Sequence, residues 1–209
     1  RVMEQKDKIP GIRGVVADLI QVKKEYETAI ETALGGSIQN IVTDNEQTAK
    51  TMIEFLKRNR YGRATFLPMS SINSRGEFGP AEALKEPGVI GIGSDLVTTD
   101  AEYKHIIRFL LGRVLVVDHI DHAIAIGKKY RHSVRMVTLE GESFSPGGSM
   151  TGGAFKNNSN LLGRRREIEE LENKVKSAKA ELIELQKSIE ENRNTRNVFR
   201  DRVAELQEK

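Results

Sequence analysis

The chain has 209 residues, 33 of them basic and 30 acidic, with no cysteine. That length allows one domain of ordinary size or two small ones. The missing cysteine excludes a disulfide scaffold, a thiolate zinc site and a cysteine nucleophile, and the near-balance of charge makes no global case for nucleic acid. Charged residues make up 30% of the chain and aromatics 5%, the mix of a long solvated helix, so one region should hold the excess. No apolar run approaches the roughly 18 to 20 residues a bilayer span needs, and no signal peptide opens the chain. Arg1 in place of an initiator Met reads as the start of an excised piece.

Residues 1–9 form a stub before Pro10. A strand-like VVADLI (Val15 to Ile20) then precedes a helix from about Lys23 to Leu34, which Gly35 closes as a left-handed cap. The segment SIQNIVT reads as a strand, and Thr43 with Glu46 as the capping box of a second helix running to about Arg60. Gly62 follows, then the strand RATFLP. Residues 73–90, rich in Gly, Pro and Ser, read as a linker between a first subdomain at 10–72 and a second at 91–163.

The second subdomain repeats the order of the first. IGSDLV reads as a strand, then a helix opened by Thr99 with Glu102 and closed by Gly112, the strand RVLVVD, a helix from about His119 to Tyr130 capped by Asp118, and the strand VRMVTL. Asp18, Leu19, Tyr26, Leu34 and Gly35 match Asp95, Leu96, Tyr103, Leu111 and Gly112 at a constant offset of 77, which points to an internal duplication. The expected fold class is therefore mixed α/β (α+β), two pseudo-repeated subdomains followed by a long helix.

Residues 147–153 read GGSMTGG. Four glycines in seven positions cost a strand-like segment roughly 0.5 to 1 kcal/mol each, so bare backbone should be required there. Close approach of a second backbone is the favoured reason, and at a subunit boundary such an edge pairs with a twin molecule's sheet. The alternative is a doubly wound nucleotide- or anion-binding domain using the glycine segment. No P-loop string occurs, however, and GIGSDL (Gly91 to Leu96) has Leu96 where a dinucleotide fingerprint has its third Gly.

From Ile168 the seam Ile168, Leu171, Val175, Ala178, Leu182, Leu185, Ile189, Asn192, Arg196, Phe199, Val203 and Leu206 alternates spacings of three and four, and ten of these twelve are apolar. Residues 164–209 thus read as one strand of a coiled coil whose partner strand is mostly missing. His119 and His122, beside Asp118 and Asp121, have a spacing that could hold a metal, but no further ligand is apparent. No nucleophile, base and orienting acid can be assembled, and neither cofactor nor metal is expected.

GIRGVVADLI (11–20), YGRATFLPMSSI (61–72) and FSPGGSMTGG (144–153), followed by a long heptad helix, closely resemble the hinge of structural maintenance of chromosomes (SMC) proteins, most like the bacterial condensin type. The resemblance covers essentially the whole chain. It implies a non-catalytic homodimerisation hinge between two antiparallel coiled-coil arms. ATP binding, kleisin and accessory subunits would belong to head regions not in this chain, and the location would be cytoplasmic and nucleoid-associated. Position by position, the dimer contacts fall on Gly147, Gly148, Ser149, Met150, Thr151, Gly152 and Gly153.

Hinges of this family are also implicated in weak, non-specific DNA binding, and three basic clusters are candidates. Lys57, Arg58, Arg60 and Arg63 lie at the end of the second helix, Lys128, Lys129 and Arg131 at the repeat-equivalent helix end. In both places the cations also complement a helix dipole. Arg164, Arg165 and Arg166 head the arm, where a dipole role fails and an anionic partner is favoured.

Overall fold

The computed structural model describes residues 2–5, 9–73, 76, 78–153 and 161–207; the side chains of Gln5, Arg165, Glu169 and Glu205 lie outside that description. Two compact units, Arg1–Gly163 and Arg164–Lys209, divide the chain. In the first unit, β1 (Ile12–Val15), β2 (Gln21–Val22), α1 (Glu27–Leu34), β3 (Ile41–Thr43), α2 (Glu46–Arg58) and β4 (Phe66–Pro68) make the first half. The second half holds β5 (Val89–Ile92), β6 (Val97–Thr98), α3 (Lys104–Leu111), β7 (Val114–Val117), α4 (Ile120–Lys129), β8 (Arg135–Thr138), β9 (Ser143–Phe144) and β10 (Met150–Thr151). A final helix, α5 (Leu161–Gln207), runs into the second unit.

The halves share one topology. β1 pairs antiparallel with β3, which pairs parallel with β4; β5, β7 and β8 repeat the pattern, and β9 and β10 extend the second sheet in the order β10-β9-β8-β7-β5. A bulge follows Ile12 in β1 and recurs after Val89 in β5, 77 residues on. The constant offset also relates Pro10 to Pro87, Gly11 to Gly88, Gly14 to Gly91, Glu25 to Glu102 and Ile30 to Ile107. Between the halves, β2 pairs antiparallel with β6.

Packing follows the pattern of apolar residues. All four residues of β7 are buried, as expected of a strand covered on both faces. α4 covers one face through Ala123 and Ile126, which pack with Leu115, Val117 and Met136. The largest apolar cluster draws on both halves, joining Val16, Ile30, Val42 and Leu67 to Ile106, Leu111, Val116 and Val137. At roughly 1.5 to 3 kcal/mol per buried side chain of this size, this shared core dominates what holds the halves together.

Four local expectations need correction. VVADLI is not one strand: the chain leaves the sheet after Val15 and passes through a 3-10 turn at Val16–Asp18. Strict alternation would bury Asp18 together with Val16 and Ile20; the turn breaks the alternation, so Val16 and Ile20 enter the core while Asp18 stays exposed. IGSDLV breaks the same way, at a 3-10 turn over Gly93–Leu96. The strands read from SIQNIVT and RATFLP are likewise shorter, covering only Ile41–Thr43 and Phe66–Pro68.

Helix caps also differ. Asn45, not Thr43, caps α2, its side chain accepting the Thr48 N–H at 3.0 Å, because Thr43 is still engaged in β3. Glu46 instead accepts the Ser70 hydroxyl at 2.7 Å. Thr99 does not open α3; its hydroxyl donates to the Leu19 carbonyl in the other half at 2.6 Å. His119, not Asp118, caps α4, with Nδ1 accepting the Asp121 N–H at 3.3 Å.

Candidate functional site

The glycine segment lies at the free edge of the larger sheet. Met150 and Thr151 form β10, paired with Phe144 and Ser143 on one side; on the other, β10 is the last strand in the sheet order of the described residues. Ser149, Met150 and Thr151 are exposed, Met150 by 53%. An apolar side chain and an unpaired strand edge together on the surface invite pairing with another chain.

The glycines are required for different reasons. Gly147, Gly148 and Gly153 have φ of +93°, +94° and +133°, where an L side chain is strained by about 1 to 2 kcal/mol. Gly152 has an ordinary φ, but a Cβ there would stand 3.0 Å from Glu142 Cγ. Near Gly147 and Gly153 a Cβ would meet none of the described residues within 4 Å. The Gly147 N–H donates to the His132 carbonyl at 2.8 Å and the Gly148 N–H to the Ser145 carbonyl at 3.0 Å. Two donors an anion cradle would need are therefore already engaged.

Two of the basic clusters are built alike. At the end of α2 the Tyr61 N–H donates to the Leu56 carbonyl and the Arg60 N–H to that of Lys57; at the end of α4, His132 donates to Gly127 and Arg131 to Lys128. This is the Schellman geometry, whose left-handed position usually holds glycine. Here it holds Arg60 (φ +55°) and Arg131 (φ +52°). Each arginine sits exposed in a conformation that costs about 1 to 2 kcal/mol, strain of the kind that accumulates where function selects the residue. Lys57, Arg58, Arg63 and Lys128 are exposed alongside. Lys129, by contrast, is engaged by Glu86 at 2.5 Å. Glu86 also accepts the Tyr130 hydroxyl at 2.7 Å, which pushes the Tyr130 pKa up to about 12.

The third cluster differs from expectation. α5 begins at Leu161, so Arg164 and Arg166 stand one turn inside the helix, and the Arg166 guanidinium pairs with Glu170 at 2.7 Å. The Arg165 side chain lies outside the described residues. The histidines are committed elsewhere: His119 caps α4, while His122 Nδ1 is 2.7 Å from Asp118 Oδ1 and holds that carboxyl below its ordinary pKa. No group of three or more metal-ligating side chains occurs among the described residues.

In the second unit, the apolar seam of α5 is bare. Ile168, Leu171, Val175, Leu182, Leu185, Ile189, Phe199, Val203 and Leu206 each expose more than half of their surface, from 51% upward. The polar seam residue Asn192 turns back onto its own helix, donating to the Ser188 carbonyl at 3.0 Å. No helix among the described residues is long and apolar enough to cross a membrane.

Similarity to known proteins agrees with this geometry. The family model for the flexible hinge domain of SMC proteins matches residues 9–127. The chromosome partition protein Smc of Bacillus subtilis (strain 168) is 45% identical over 199 residues, covering 90% of this chain and 17% of that protein. The crystal structure of an asymmetric dimer of the Geobacillus stearothermophilus SMC hinge domain superposes with a TM-score of 0.75 at 43% identity, covering 84% of this chain and 71% of that one. The Pyrococcus furiosus Smc hinge domain with an extended coiled coil gives 0.63 at 32% identity, covering 90% and 69%. This chain spans about a sixth of the length of these curated relatives.

Proposed function

The chain belongs to the flexible hinge domain family of SMC proteins, and from that membership we propose that it joins two copies of a longer chromosome-partitioning protein through the edge of β10. The observation that carries this reading is the open edge itself: exposed Ser149, Met150 and Thr151 flanked by glycines that keep side chains out of the approach. β4 is a second open edge in the same unit, beside a groove lined by Ile53, Lys57, Phe66 and Pro68. Under a two-fold axis, β10 of one copy would meet β4 of the other and the contact would be made twice. The hinge carries no catalytic residues; ATP hydrolysis and kleisin binding belong to head regions of the longer protein, and the bare seam of α5 to an antiparallel arm. Arg60, Arg131 and their neighbours hold DNA weakly, without sequence choice, in a cytoplasmic, nucleoid-associated protein.

Light scattering across a concentration series tests the dimer, with Gly152→Leu and Gly153→Leu as variants. The expected result is a dimeric wild type and monomeric variants with folded spectra. A wild type that stays monomeric at micromolar concentration would sink the reading.

A further inference from the structure

α1 and α3 hold equivalent places in the two halves, yet their charges are inverted. Glu27 and Glu31 stand on α1 where Lys104 and Arg108 stand on α3, at the same offset of 77. In the first half Glu31 is buried, and its Oε1 accepts the backbone N–H of Leu161, the first residue of α5, at 3.2 Å. A carboxylate there meets the positive end of a helix. The equivalent place in the second half is an open cleft of about 370 Å³, within the size range of small-molecule sites. It is lined by Ser94, Asp95, Thr98, Lys104, Ile107 and Arg108.

Several features of the cleft suit one kind of ligand. Lys104 and Arg108 are one helical turn apart on α3 and exposed, and among the described residues neither has a carboxylate within ion-pair distance. Hydroxyls of Ser94 and Thr98 sit in the same lining, and Ile107 supplies an apolar wall. An arginine fork and an ammonium, together with the Thr98 hydroxyl, match the oxygens of a phosphate. Asp95, which accepts the Ser94 hydroxyl at 3.3 Å, repels a bare anion but can accept a hydroxyl carried next to one. Ser94 and Asp95 come from the GIGSDL segment, whose glycine spacing does not fit a dinucleotide fingerprint; the cleft gives those residues a different use.

We propose that this cleft binds a sugar-borne phosphate. A free nucleotide and the phosphodiester backbone of a nucleic acid share that chemistry. The site is separate from the helix-end clusters and from the glycine edge, and its test does not depend on dimerisation.

Amide NMR on the chain, titrated with a nucleoside monophosphate and separately with a short oligonucleotide lacking terminal phosphates, tests it. The expected result is saturable shifts at Ser94, Thr98 and Lys104, weakened about tenfold or more in Lys104→Ala/Arg108→Ala. Saturation by the mononucleotide assigns a free ligand; saturation by the oligonucleotide alone assigns the nucleic-acid backbone. Absence of saturable shifts at the cleft with either probe overturns the proposal, as does unchanged affinity in a folded double variant. Should that variant not fold, the wild-type shift map decides, and perturbations centred away from the cleft overturn it.

Discussion

Gln21 pairs across the β2–β6 ribbon with Thr98, the residue 77 positions further along the chain and therefore its own counterpart in the duplication. An antiparallel pair of equivalent residues places a pseudo-two-fold axis between them. The axis coordinates two halves that share a core, so the duplicated body folds as one unit around this short ribbon.

One bond across that axis has no mirror image. The Thr99 hydroxyl donates to the Leu19 carbonyl at 2.6 Å, whereas the counterpart of Thr99 is Val22, which has no donor. Thr99→Val keeps the shape and removes the bond, and should lower stability by about 1 kcal/mol. In urea unfolding this would read as a lower midpoint with an unchanged slope. An unchanged midpoint would mean that the shared core alone holds the halves in place.

Why some of this is legible in the sequence follows from the physics of each signal. A duplication leaves identities at a fixed offset, and Asp18/Asp95 through Gly35/Gly112 are enough to predict two like halves. The heptad seam of α5 is equally plain, because a period of three and four sustained over so long a stretch is hard to produce except by a helix that packs along one stripe. Segment ends are less legible. Asp18 and Asp95 sit inside apolar runs that read as strands, and only the packing of Val16 and Ile20 shows that a turn must expel the carboxylate. Caps are misread for a related reason: Thr43 and Asp118 have the right chemistry, but β3 keeps Thr43 and His122 takes Asp118. The strained arginines at Arg60 and Arg131 carry only a charge signal, since left-handed geometry at a non-glycine residue is invisible before the helix ends are placed. The inversion of Glu27 and Glu31 to Lys104 and Arg108 can be read from the offset alone, once the two halves are aligned.

The Asp118–His122 contact predicts a pH dependence with a definite sign. His122 is the largest cause of the depressed Asp118 pKa, followed in the same direction by the backbone N–H of His119. A carboxyl whose folded pKa is depressed contributes stability above its unfolded pKa, about 3.9, and loses it as pH falls through the lower folded value. His122→Thr installs the type of side chain found in the first half, where Asp44 and Thr48 stand beside Gly11 as Asp118 and His122 stand beside its counterpart Gly88. Thermal unfolding from neutral to strongly acidic pH should show the variant less stable than wild type at neutral pH, with the two curves converging below the ordinary carboxylate range. Parallel curves throughout would show that the contact contributes packing but no charge linkage.

The two strained arginines separate stability from binding. Arg60→Gly and Arg131→Gly each place glycine at a left-handed helix end that already has its Schellman hydrogen bonds, so each should stabilise the fold by about 1 kcal/mol. If these residues neutralise phosphates, the same substitutions should weaken DNA association and flatten its dependence on salt. The slope of log K against log salt should fall by about 0.9 for each duplex phosphate contact removed. Melting temperature and salt-dependent fluorescence anisotropy, measured on the same double variant, read the two effects independently. A rise in melting temperature with an unchanged salt slope would free these arginines from any role in DNA binding and leave their strain without a functional cause. Lower stability in the variant would instead mean that the side chains hold the helix ends through contacts stronger than the backbone strain they impose.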